Sequence, residues 1–258
     1  MKLSIRSKKL LNKCGKAFRI AKEYLLEEKC MRDIEFELVG DYALFSDPLT
    51  RPGGEKNSLI VPTYEALRGA VRSCFWKPTI LWIIDQVRVM NPIRTETKGQ
   101  LLLNYSGGGK DLAYFTYLQD VRYQVKAHYE WNRNYPERKS DWNEKKYTDM
   151  IERALKAGGR RDIFLGTREC QAEIRPCKFG EGKGYYDTVG ELALGYMYHG
   201  MTYPEEAVMQ EDKKYLTVRF WRPVMKNGVI TFLRPEECTD KTHIRKMEFT
   251  RFSFREGI

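Results

Sequence analysis

The segment Lys156-Ala-Gly-Gly-Arg-Arg-Asp-Ile-Phe-Leu-Gly-Thr-Arg-Glu-Cys170 concentrates residue types that grip phosphate. Glycines let a backbone come close to a bulky ligand. Arginines beside them present a planar fork whose parallel N–H groups match phosphate oxygens. Arg160, Arg161 and Arg168 are therefore the first candidates for phosphate contact. The segment also fits a plainer role. Gly158 and Gly159 suit a helix C-cap, and the arginines suit surface ion pairs with Asp162 and Glu169.

Other Gly-rich stretches carry no comparable chemistry. Gly107-Gly-Gly-Lys110 lacks the spacing and the following Ser or Thr of a phosphate-binding P-loop, and Gly180-Glu-Gly-Lys-Gly184 reads as a turn. The six cysteines fall at 14, 30, 74, 170, 177 and 238 without a Cys-x-x-Cys pair, and the three histidines are scattered. A structural zinc site is not expected, and neither is any other metal or cofactor. The cysteines are read as free thiols in a reduced, soluble, cytoplasmic protein, because no secretory segment and no 18-residue apolar run appears.

The elements that must position these residues follow from periodicity. Asp33–Val39 alternates apolar and polar residues, as a half-buried strand does. Thr63–Arg72 is helical, with Pro62 suited to its start. Ile80–Ile84 is an apolar central strand, and Gln86–Met90 continues it or pairs beside it. Asn91–Asn104 is a polar segment. Tyr114–Trp131 alternates strongly and predicts a strand pair bent near Gln119-Asp120. After a polar loop to Asp141, Lys145–Lys156 is helical, with Met150, Ile151, Ala154 and Leu155 on its apolar face. This order predicts an α+β fold: a ferredoxin-like, RNA-recognition-type βαββαβ domain over residues 31–171. A small antiparallel β domain is expected over 172–258, with strands at Leu192–Tyr198, Lys214–Trp221 and Val229–Phe232.

Charge supports nucleic acid only locally. The chain of 258 residues carries a net +10, but residues 1–30 hold nine Lys or Arg against three Glu, which leaves only +4 for the rest. Residues 1–30 read as a basic amphipathic helix or an extension, with Met31 as an alternative start.

Six segments stand out together: Asp41-Tyr-Ala-Leu-Phe-Ser-Asp-Pro-Leu-Thr50, Val61-Pro-Thr-Tyr-Glu-Ala-Leu-Arg-Gly69, Phe75-Trp-Lys-Pro-Thr79, Arg88-Val-Met-Asn-Pro-Ile93, the 156–170 segment and Phe220-Trp-Arg-Pro-Val-Met-Lys-Asn-Gly228. In this order they resemble the CRISPR-associated repeat endoribonucleases of type I-C systems, subtype d of the fifth Cas family in the RAMP superfamily. The likeness runs from about Met31 to about Pro235.

The resemblance implies metal-independent cleavage of the precursor transcript at the base of the repeat hairpin. A 2′-hydroxyl attacks the adjacent phosphate, leaving a cyclic phosphate and a 5′-hydroxyl. It also implies that the protein stays on the 5′ handle, beside the backbone and large subunits of the interference complex. Nonspecific duplex DNA is a further partner that the basic charge permits; a membrane is not.

The family's catalytic Tyr falls on Phe75, and its Lys-His pair falls on Lys146 and Tyr147, or on Lys145 and Lys146 in a shifted reading. His128 is the remaining candidate base, and an ordinary strand histidine is its alternative reading. Arg122 and Lys126, four apart on one strand face, and Arg68 and Arg72, one helical turn apart, are further RNA-contact candidates. Tyr117 and Tyr123 are candidate stacking rings or core residues.

Overall fold

Apolar alternation does set the frame. Ile34, Phe36 and Leu38 turn inward along the first strand, and Val125, Ala127 and Tyr129 do so along its long partner. The computed structural model describes residues 33–48, 50, 54–103 and 107–247; the basic segment expected over 1–30 lies outside them. The strands are β1 (Ile34–Ala43), β2 (Lys56–Asn57), β3 (Ile80–Val89), β4 (Arg94–Leu103), β5 (Lys110–Trp131), β6 (Ile163–Phe164), β7 (Gln171–Pro176), β8 (Glu191–Ala193), β9 (Met197–Thr202), β10 (Tyr215–Trp221), β11 (Val224–Lys226), β12 (Val229–Thr231) and β13 (Asp240–Lys246). Two α-helices are described, α1 (Tyr64–Cys74) and α2 (Glu144–Lys156).

The fold is mixed helix and strand, built mostly from antiparallel pairs. One 10-stranded sheet runs β6-β7-β1-β5-β3-β12-β11-β8, with β2 and β4 also paired to β5. Only the short β2–β5 contact is parallel among the described strands. The second sheet is β13-β10-β9. The strands beyond Ala172 thus divide: β7, β8, β11 and β12 extend the large sheet, and only β9, β10 and β13 form the small one. No described helix is long and apolar enough to cross a membrane.

Several elements differ from expectation for local reasons. Tyr114–Trp131 is not a strand pair. It belongs to the single 22-residue β5, which turns at Asp120 through a left-handed φ of 49° without breaking. The polar segment Asn91–Asn104 contains β4, which pairs with the first half of β5. Exposure along nearly all of β4 removed the alternation that would have marked it. Of the two readings of Gln86–Met90, continuation holds: β3 runs on to Val89, with a register shift between Ile84 and Gln86. The strand expected over Leu192–Tyr198 divides at Gly195 (φ 77°) into β8 and β9.

Candidate active site and nucleic-acid interface

Two caps and a short turn build the site. Phe75 ends α1 by donating its N–H to the Val71 carbonyl at 2.9 Å, and its own carbonyl accepts the Trp82 indole N–H at 2.9 Å. The loop Phe75–Thr79 is thereby fixed against β3. Asn143 caps α2, its side-chain oxygen accepting the Lys146 N–H at 2.9 Å. Between them, the 3₁₀ turn Pro136–Asp141 brings Asp141 over the first turn of α2.

Asp141 is the hub. Its carboxylate accepts Lys146 Nζ at 2.5 Å and the Tyr147 hydroxyl at 2.6 Å, with Lys77 Nζ at 3.9 Å. Lys146, and then Tyr147, hold the Asp141 carboxyl below its ordinary range. The Lys146 side chain keeps 48% of its surface in solvent, so its ammonium can meet an incoming anion. Tyr147 is fully buried, edge-on to Phe75 (6.2 Å) and Trp131 (5.0 Å). Burial first, and Asp141 next, push its phenol up to about 12. The phenol therefore stays protonated at neutral pH and donates to Asp141, while the Thr79 hydroxyl meets the phenol oxygen at 2.5 Å. In this arrangement Tyr147 orients Asp141 and, through it, Lys146.

The arginine loop joins from the other end of α2. Gly158 (φ 77°) donates its N–H to Leu155 and Gly159 (φ 99°) donates its own to Ala154, which closes the helix as a glycine C-cap. The plainer cap reading holds, and the cap also delivers Arg160. The Arg160 N–H donates to the Cys74 carbonyl at 3.2 Å, and its guanidinium lies 4.6 Å from the Phe75 ring centre. Arg160 and Arg161, both exposed, line an open groove of about 400 Å³ whose far wall is Gln171–Ile174 of β7. Further on, a Cβ at Gly166 would stand 1.9 Å from the Leu44 carbonyl oxygen, so no other residue fits there. Leu44 donates its N–H to Leu165 at 3.0 Å beside it.

Phe75, Lys146, Tyr147 and Arg160 are thus brought together, and exposed Lys145 lies on the same first turn of α2. The structure separates His128 from them. Tyr129 packs on Tyr147, whereas His128, the preceding residue of β5, points to the opposite face. There its Nδ1 meets Asp85 at 2.8 Å and its Nε2 meets Glu130 at 3.4 Å. Burial opposes its charge, but Asp85 and Glu130 outweigh burial and raise its pKa to about 9. At neutral pH it is a paired cation, so it is no base for this site.

The remaining candidates are largely committed to carboxylates. Arg68 is buried between Glu65 (2.9 Å) and Glu206 (3.1 Å), and Arg72 meets Glu206 at 2.9 Å. Arg122 meets Glu37 at 2.6 Å, and Lys126 meets Asp33 at 2.7 Å. Arg168 is exposed on the turn between β6 and β7. Tyr117 and Tyr123 are buried, which denies them a stacking role. Sequence reasoning missed Asp141, which lay in a segment read only as polar loop, and also Lys77 and Thr79, which carried the motif but no assigned role.

Comparison with known proteins gives the chain's relatives. A family model described as Cas_Cas5d, CRISPR-associated protein (Cas_Cas5), matches residues 33–233. A protein named CRISPR pre-crRNA endoribonuclease Cas5d from Mannheimia succiniciproducens is 28% identical over 226 residues, covering 76% of this chain and 93% of that protein. One of the same name from Thermus thermophilus is 30% identical over 158 residues, covering 57% of this chain and 65% of that protein. A crystal structure of a CRISPR-associated protein superposes with a TM-score of 0.68 at 34% identity, covering 82% of this chain and 97% of the other. A functionally uncharacterized protein, SMU1763c from Streptococcus mutans, gives 0.67 at 35% identity with the same coverage.

Proposed function

The chain belongs to the Cas5d family of CRISPR-associated proteins, and we propose that it is a metal-independent endoribonuclease of precursor CRISPR RNA. It cuts at the base of the repeat hairpin and remains on the 5′ handle of its product, beside the other subunits of the interference complex. The strand order supports an RNA-recognition-type scaffold: β7, which follows α2, pairs with β1; β1 pairs with β5; and β5 pairs with β3, which follows α1.

The observation that carries the reading is the imbalance around Asp141. One carboxylate faces two lysines, Lys146 and Lys77, at a solvent-exposed rim, and Arg160 rests on Phe75, whose ring meets Tyr147 edge-on. A scissile phosphate completes that balance. The 2′-oxygen attacks phosphorus in line, the P–O5′ bond breaks, and Lys146 neutralises the added charge of the pentavalent phosphorane. In this reading Lys146 also protonates the leaving 5′-oxygen. Tyr147 holds Asp141, which aims Lys146. The 2′-hydroxyl proton passes to solvent hydroxide, because Tyr147 is kept protonated and His128 is on the far face.

One observation favours a second reading, a handle-binding subunit that does not cut: Phe75 brings no hydroxyl and Tyr147 brings no base. A labelled repeat RNA incubated in EDTA separates the two. A single cut leaving a 5′-hydroxyl supports the nuclease; a mobility shift with intact RNA supports the binder.

A further inference from the structure

We infer that Trp76 is a base-stacking platform for an unpaired nucleotide beside the phosphate at the Lys146 site. The inference rests on the RNA reading above and adds a specificity residue to it.

Trp76 lies between buried Phe75 and Lys77, yet 46% of its own surface is exposed. An indole left in water at the end of a fixed loop needs a reason, since large rings are normally buried for their apolar area. The loop cannot fold it away. Phe75 is held by Val71 and by Trp82, and the Ile80 N–H donates to the Lys77 carbonyl at 3.2 Å, so both flanks are tied.

The ring is also backed by charge. The Arg72 guanidinium lies 5.9 Å from its centre, and Glu206 fixes that guanidinium at 2.9 Å. A guanidinium held against one part of an indole limits the ring's rotation and polarises it. Phosphate-seeking groups attach to the residues on either side of it in the chain. Lys77 reaches towards Asp141, and Arg160 rests on the neighbouring Phe75. A rigid, exposed aromatic backed by Arg72 and followed in the chain by Lys77 suits single-stranded RNA, whose bases stack on rings while its backbone follows the charge. It does not suit a duplex, whose bases are already stacked.

The test uses the full chain and a synthetic repeat stem-loop RNA carrying 2-aminopurine at one unpaired position beside the stem at a time. Stacking on Trp76 quenches that fluorescence at one position on binding. Trp76→Ala removes the quench and weakens binding by about tenfold or more. Trp76→Phe restores most of both. An abasic nucleotide at the same position makes wild type and Trp76→Ala equal. Full quench and unchanged affinity in Trp76→Ala overturn the stacking role, even if the RNA is still bound and cut. Failure of wild type to bind any stem-loop RNA at low salt overturns the RNA reading itself, and the platform with it.

Discussion

The two faces of β5 carry two charge clusters with opposite accounting. On one face, Asp85 and Glu130 hold His128, and Arg234 reaches Glu130 at 2.6 Å. Each cation there has a carboxylate, and the group is largely withdrawn from water. Burial opposes it, but His128 and Arg234 hold the Glu130 carboxyl down to about 2. On the other face, Tyr129 leads to Tyr147, and Asp141 serves Lys146 and Lys77 at an exposed rim. Matched, buried charge fastens a fold, whereas surplus, hydrated charge is free to meet a ligand. The difference explains why a histidine, the usual first candidate for proton transfer, is structural here, while a solvent-facing lysine is the better candidate for chemistry.

The largest effect expected from that contrast is at Lys146. Lys146→Ala lowers single-turnover cleavage about 100-fold or more, in line with loss of one charge-stabilising group, and leaves the thermal midpoint nearly unchanged. Cleavage near the wild-type rate would erase the distinction between the faces. Next comes Arg234→Ala, which strips the other cluster of a cation. It should cost about 2 kcal/mol of stability, read from the urea midpoint, with the rate of the folded fraction preserved.

The pH response sharpens the point further. His128 has a folded pKa of about 9 against an ordinary value of 6.5, so its stabilisation is complete below pH 6.5. It fades as pH climbs from there through 9, by on the order of 3 kcal/mol. Urea titrations across that window should show the decline in wild type and a flatter profile in His128→Gln, which still cuts RNA. A wild-type profile that stays level would refute the charge assigned to His128. The smallest effect concerns salt. Arg160→Gln should reduce the slope of log affinity against log salt by about 1. Arg122→Gln should barely move it, since Glu37 already claims that guanidinium.

Where the pattern was strong, the fold was readable: alternation marked β1 and the second half of β5, and an unbroken apolar run marked the first half of β3. β4 escaped because water surrounds most of it. His128 was in fact placed by the sequence. It shares parity with Gln124, Lys126 and Glu130, opposite to Tyr123, Val125 and Tyr129, and that parity alone puts it away from the helices. Asp141 was not legible, because a 3₁₀ turn brings it onto Lys146 and Tyr147 and no periodicity announces such a turn. Arg122 looked available because its partner Glu37 lies far away along the chain, and so does Glu206, which joins the nearby Glu65 in burying Arg68.

Gly166 has a wider consequence. The stretch from Arg160 to Leu165 is moored at one end to Cys74 and at the other to Leu44, where even a methyl group has no room. On the proposed RNA reading, its guanidinium-bearing span is already set in place before a transcript arrives. Little freedom remains to be surrendered on docking, so the grip is taxed lightly by ordering, and a bulkier residue at position 166 would loosen the hold on RNA without touching a single contact to it.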